Sequence, residues 1–392
     1  MTPPVLPYGR QTIEDDDIAA VVAALQADFL TTGPTVAAFE DAFAEKVGAR
    51  YAVACANGTA ALHLAMLALE VQPGEAVIAP SITFLATANC ARYVGAEVVF
   101  ADVDPLSGLM TPETLADALA RVGERRLRAV LPVHLRGDVA DLPGLAALAG
   151  QAGAVLVEDA PHALGTTMAF GNVAERVGDA RHSAMATFSF HPVKTIATGE
   201  GGMVTTNDAG LAERLRTMRS HGMVRPQTAS EAGAEPWWYE MPEPGFNYRL
   251  PDILCALGLS QLAKLDRFAA RRRALAKAYE AALAPLAPIV RMAARPAWSD
   301  PVLHLMCVLI DFEAAGVTRR AVVDALRARG VGTQVHYIPV HRQPYYRARY
   351  GELHLPGAEA WYDRCLSLPL YPAMADADVG KVTEALKAVL GA

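Results

Sequence analysis

Lys194 stands in an unusual setting for a lysine. The run Phe188-Ser189-Phe190-His191-Pro192-Val193-Lys194 leads into Thr198-Gly199-Glu200-Gly201-Gly202. An amine among apolar neighbours is partly desolvated, which lowers its pKa and makes it an imine-forming nucleophile. The glycines that follow allow a tight turn near a bound ligand. Two other segments mix small and polar residues at strand ends. Asn57-Gly58-Thr59-Ala60 follows a strand and opens a helix, so free N–H groups and the helix dipole make an anion site there. Gly58 lets the backbone approach closely and Thr59 adds a hydroxyl. Glu158-Asp159-Ala160-Pro161-His162 places two carboxylates at a strand's carboxyl end, before a helix-start proline. That suits a ligand-facing loop in which an Asp pairs with a protonated ring nitrogen. Taken singly, each segment has a plainer explanation: a surface lysine, a helix cap, a salt bridge.

The elements that must position these groups follow from hydrophobic periodicity. Strand signals lie at 51–56, 76–80, 97–102, 129–133 and 154–158, with helices between them, notably at 58–69 and 83–94. Such βα alternation predicts a mostly parallel sheet covered on both faces, with ligands beyond the carboxyl ends of the strands. A short strand at 203–206 and a helix at 208–220 come next. Residues 223–244 are rich in Pro and Glu and carry Trp237, Trp238 and Tyr239; a loop of that length is more often functional or interfacial than idle. It is read as a lid or a subunit contact, with nothing to choose between them. One long helix is expected over 251–282, then a smaller domain with a strand at 304–311, a helix at 318–329 and a strand near 331–337. The division is 1–250 for a large domain and 251–392 for the connecting helix and a small C-terminal domain.

Composition narrows the class. The 392 residues carry a formal charge of −7 and are 52% hydrophobic, as in an ordinary globular protein. The densest basic run, Arg271–Arg273, lies in a helical stretch and reads as a solvated face, which argues against nucleic acid. Cys55, Cys90, Cys255, Cys307 and Cys365 are widely spaced and form no C-x-x-C pair, so neither a disulfide framework nor a zinc knuckle is implied. No H-E-x-x-H occurs, and Pro339 separates His336 from His341, so no metal is expected. The start shows no signal-peptide pattern and no long apolar run suggests a membrane span. A cytoplasmic protein is expected.

The three segments together resemble the sugar aminotransferases of the DegT/DnrJ/EryC1/StrS family. The resemblance runs from Leu30-Thr31-Thr32-Gly33-Pro34 to Leu366-Ser367-Leu368-Pro369, and SFHPVKTIATGEGG is highly specific to it. FNYRLPDILCALGLSQL and QVHYIPVHRQPYY support it independently. It implies an α/β pyridoxal 5'-phosphate (PLP) enzyme of fold type I, like aspartate aminotransferase: a large domain with a mostly parallel mixed sheet and a smaller α+β domain. By the same resemblance Lys194 carries the cofactor and moves the proton, and Asp159 pairs with the ring nitrogen. His162 lies near the phenolic oxygen, and Gly58, Thr59 and Ser189 hold the phosphate. Phe84, within SITFLATAN, stacks on the ring, and Asn247 reaches the phosphate from a neighbouring subunit, implying a homodimer with shared sites. Thr31, Thr32, Gly33, His336 and Tyr337 are assigned to the nucleotide sugar. Family relatives with histidine in place of the lysine dehydrate at C3; Lys194 disfavours that activity here. SHGM, PWWYE, GLSQL and HYIPVH resemble most the transaminases of pseudaminic acid pathways, which implies L-glutamate as donor and a UDP-linked 4-keto-6-deoxy-N-acetylhexose as acceptor. Some proteins of this kind were first described as regulators, but the chain has no recognition helix for that role.

Overall fold

The computed structural model describes residues 5–171, 173–225, 235 and 237–391. Seven strands form the central sheet: β1 (Tyr51–Cys55), β2 (Ala76–Pro80), β3 (Glu97–Ala101), β4 (Leu127–Val130), β5 (Val155–Asp159), β6 (Met185–Ser189) and β7 (Gly202–Thr206). Their order is β1-β7-β6-β5-β4-β2-β3. All pairings are parallel except those of β7, which runs antiparallel to both β1 and β6. The expected mostly parallel α/β sheet is what forms.

The sheet is buried on both faces because its strands alternate between two cores. Val53, Val77, Phe100, Val157 and Val204 pack on one face with the helices Gly58–Ala68 and Leu85–Tyr93. Ala54, Ile78, Val99, Leu156 and Met203 pack on the other with the helices Pro34–Val47 and Leu142–Gln151. A third core gathers Leu275 to Leu390 around a three-stranded antiparallel sheet made of Val290–Met292, Met306–Ile310 and Cys365–Leu368. All five cysteines are free and buried. Among the described residues no helix is long and apolar enough to cross a membrane, and no cluster of His, Cys, Asp or Glu could hold a metal.

Two expected elements differ. The helix expected over 251–282 is two helices, Asp252–Ala263 and Leu265–Leu283, meeting at Lys264. The Lys264 ammonium pairs there with Asp16 at 2.5 Å and Asp17 at 2.8 Å, on the helix Asp15–Leu25. Hydrophobic periodicity does not register such a junction, because apolar residues (Leu262, Leu265, Phe268) continue across it with no Gly or Pro to mark it. The strand expected near 331–337 is reduced to isolated bridges, Val331 to Leu6 and Gln334 to Ser367. The segment crosses from the N-terminal arm to the small sheet and then turns inward, so no ladder can propagate along it. Of the Trp-bearing stretch, 226–234 and 236 lie outside the described residues. Trp237, Trp238 and Tyr239 are exposed, and the bridge Val224–Glu240 closes the base of the loop.

Candidate active site

Because β7 is reversed, the carboxyl ends of β1, β2, β5 and β6 and the amino end of β7 meet along one edge. Asn57, Ser81, Asp159, Ser189 and Gly202 therefore converge without any long excursion of the chain. The three segments read from the sequence come together there.

The anion site is built from backbone. The Asn57 side chain accepts the Ala60 N–H at 2.8 Å and caps the helix Gly58–Ala68. The N–H groups of Gly58 and Thr59, in its first turn, have no intrahelical acceptor. A Cβ on Gly58 would sit 2.7 Å from the Ser189 Cβ, and one on Gly202 would sit 2.4 Å from the Asn57 carbonyl oxygen. Both positions need glycine for close approach. The result is a cradle of helix N–H groups with the Ser189 hydroxyl beside it, which fits a phosphate.

Lys194 lies in a loop that leaves β6 and folds back on it. Its N–H donates to the His191 carbonyl at 2.8 Å, and the Thr198 N–H donates to the Phe190 carbonyl at 2.9 Å. Burial pushes the Lys194 amine down to about 8, with the Asp159 carboxylate opposing. At pH 7 that leaves roughly a tenth of the amines neutral, against about three in ten thousand for an ordinary lysine.

The two carboxylates of the Glu158-Asp159 pair do not both face the ligand edge. Successive strand residues point to opposite faces. Glu158 points away, accepting from the Ser183 hydroxyl at 2.5 Å and meeting His134 Nε2 at 2.9 Å. Asp159 is the one at the site. It is buried, and its Oδ2 accepts from the Thr87 hydroxyl at 2.5 Å, which lies 2.6 Å from the Thr83 hydroxyl. Burial raises the Asp159 pKa, while the Thr87 hydrogen bond and the charges of Lys194 and His134 lower it. Among the described residues no side chain forms an ion pair with it. A buried carboxylate so placed fits a protonated ring nitrogen.

His162 is buried, with Nδ1 accepting the Arg136 N–H at 3.4 Å and Nε2 lying 3.3 Å from the Tyr337 hydroxyl. Burial, with Lys194 and His336, holds its imidazole well below the usual range. Phe84, just before the helix Leu85–Tyr93, is 58% exposed, with its ring 6.2 Å from that of Tyr337. An aromatic face is thus open at the mouth of the site.

The residues assigned to the nucleotide sugar separate. Tyr337 touches His162 and so belongs with the Lys194 group. His336 is buried, its Nδ1 2.8 Å from the Ser367 hydroxyl and its carbonyl accepting from Trp361 Nε1. Thr31 and Thr32 are exposed, and the loop is pinned by the Asp252 carboxylate, which accepts the N–H groups of Gly33 and Thr35 at 2.8 and 3.0 Å. No described contact joins that loop to Lys194. Asn247 is exposed beside Ser220, and the carbonyl of its neighbour Tyr248 accepts the Ala56 N–H at 2.8 Å. Sequence reading misses Thr87, although it lies in the same SITFLATAN segment, four residues after Thr83. It also misses His304, whose only local signal is a strand start.

The DegT/DnrJ/EryC1/StrS aminotransferase family model matches residues 11–387. A spore coat polysaccharide biosynthesis protein of Bacillus subtilis (strain 168), SpsC, is 39% identical, covering 98% of this chain and 97% of its own. PseC of Helicobacter pylori, an aminotransferase of pseudaminic acid biosynthesis, superposes with a TM-score of 0.88 at 26% identity over 99% of both chains. A Streptococcus pneumoniae protein described as a sugar aminotransferase, in its PLP form, matches with a TM-score of 0.88 at 25% identity over 99% of both. The chain therefore belongs to the DegT/DnrJ/EryC1/StrS aminotransferase family and is a PLP-dependent sugar aminotransferase of fold type I.

Proposed function

We propose that the protein transfers the amino group of L-glutamate to C4 of a UDP-linked 4-keto-6-deoxy-N-acetylhexosamine, in biosynthesis of the pseudaminic acid type. The observation that carries this reading is the end-to-end likeness to PseC, together with an intact Lys194.

When bound, PLP supplies a carbonyl that accepts and passes on an amino group, and a ring that takes up negative charge. The chain does the rest. Gly58, Thr59 and Ser189 hold the phosphate, and Asp159 keeps the ring nitrogen protonated. Phe84 covers the ring face and His162 stands at the phenolic oxygen. The Lys194 amine would hold the cofactor and, when free, would take the proton from the glutamate α-carbon in one half-reaction and deliver one to sugar C4 in the other. Asn247 completes the phosphate site of the other subunit of a homodimer.

A second reading has its own support. SpsC is more nearly identical to this chain than PseC is, and its description concerns spore coat polysaccharide. Another keto-sugar, dTDP- or GDP-linked and aminated at C3 or C4, is the alternative. A panel of UDP-, dTDP- and GDP-linked keto-sugars with L-glutamate separates the two. The expected result is preferential amination of the UDP-linked 2-acetamido-2,6-dideoxy-4-ketohexose at C4. A clear preference for a dTDP-linked or 3-keto sugar overturns it.

A further inference from the structure

Arg136 has a left-handed backbone, φ 66°, which few non-glycine residues adopt. Its guanidinium is buried and donates to the Ala294 carbonyl at 2.9 Å. In that conformation its peptide groups serve two histidines. The Arg136 N–H donates to His162 Nδ1 at 3.4 Å, and the Arg136 carbonyl accepts the His304 N–H at 2.7 Å. His304 comes from none of the segments that carry the cofactor, yet its ring lies 4.6 Å from that of His162, tilted by 32°. The His304 carbonyl is held in turn by Arg272, a fully buried cation that also donates to the Leu303 and Leu370 carbonyls.

The donation from Arg136 fixes the His162 tautomer. With Nδ1 accepting, the ring proton sits on Nε2 and points at the Tyr337 oxygen. The Tyr337 hydroxyl hydrogen is then free to turn elsewhere in the site. The bond from Arg136 is long, so it cannot hold the ring plane by itself. Tyr337 lies nearly parallel to His162, at 15° but 6.3 Å away, and the His304 ring is nearer. His304 Nδ1 is buried and has no hydrogen-bond partner among the described residues. An unpaired buried nitrogen is a net cost, so the backbone bonds to Arg136 and Arg272 and the ring contact with His162, rather than a hydrogen bond from Nδ1, place the His304 side chain.

We propose that His304 is a positioning residue: its ring, packed at a tilt against His162, keeps that imidazole in the plane in which Nδ1 accepts from Arg136 and Nε2–H is aimed at Tyr337. This rests on the reading of the Lys194 site given above. His304→Ala and His304→Leu remove the ring, and His304→Phe keeps a flat aromatic ring without nitrogen. In PLP-loaded enzyme, Ala and Leu should lower kcat roughly 10–100-fold with little change in the KM for L-glutamate, while Phe stays close to wild type. A second readout needs neither cofactor nor turnover. The ¹⁵N shifts of the His162 ring, assigned by their loss in His162→Gln, should report Nε2–H in wild type and Phe but mixed tautomers in Ala and Leu. If Ala does not fold, the contrast between Leu and Phe decides. Wild-type behaviour in all the variants overturns the inference, and so does a Phe variant as impaired as Leu. A wild type that does not respond to glutamate counts against the site reading alone, and the ¹⁵N comparison still decides the role of His304.

Discussion

Lys194→Ala will lose the visible absorbance of lysine-bound cofactor and all measurable amino transfer, while remaining folded. Two roles disappear with one side chain. In the proposed mechanism the amine is the nucleophile that binds the cofactor, and burial already keeps it near pKa 8, so a usable neutral fraction exists at physiological pH. In the same proposal it moves the proton at the reacting carbon, a function worth roughly 10²–10⁴-fold in rate on its own. Folding should survive because the loop is closed by backbone hydrogen bonds, Lys194 N–H to His191 and Thr198 N–H to Phe190, which alanine retains. Circular dichroism and a thermal melt check the fold, and turnover with glutamate and a keto-sugar checks the activity. Near-normal turnover in the variant would remove Lys194 from the mechanism.

Asp159→Ala will weaken PLP binding and slow both half-reactions, and Asp159→Glu will be impaired less. The carboxylate is buried and accepts only one described side-chain hydrogen bond, from Thr87. A protonated ring nitrogen is the cationic partner that the proposed mechanism gives it. Removing one member of a buried charged pair costs about 3–5 kcal/mol. At about 1.4 kcal/mol per tenfold, cofactor affinity should fall by roughly two to three and a half orders of magnitude. Glutamate restores the charge but carries it one methylene further, against the Thr83–Thr87 pair. Titration of apo-protein with PLP measures the affinity. Equal affinity and equal half-reaction rates in wild type and Asp159→Ala would show that the ring nitrogen has no partner here.

Much of this site is legible in the amino-acid sequence because each part is local. Asn57-Gly58-Thr59, Asp159 and Ser189 through Lys194 are contiguous runs at strand ends, and a parallel sheet delivers strand ends to one edge. What escapes is what depends on distance or parity along the chain. Glu158 and Asp159 read alike as a pair; only strand alternation sends one to His134 and the other to the ligand edge. Thr87 meets Asp159 across 72 residues. His304 meets His162 from the approach to the central strand of the small sheet, with no motif at its own end to announce it. The junction at Lys264 depends on Asp16, 248 residues upstream. Tyr337 groups with the sugar residues in the sequence because it lies in the same motif as His336, whereas the inward turn of that segment delivers its hydroxyl to His162.

The most direct measurement is reductive trapping. PLP-loaded protein is treated with borohydride, digested and mapped by mass spectrometry, once before and once after exposure to L-glutamate. Before glutamate the phosphopyridoxyl group should be found on the peptide containing Lys194 and on no other lysine. After glutamate that adduct should disappear as 2-oxoglutarate forms in equal amount. An adduct on a different lysine, or one at Lys194 that persists unchanged when glutamate is added, would contradict a transaminase working through Lys194.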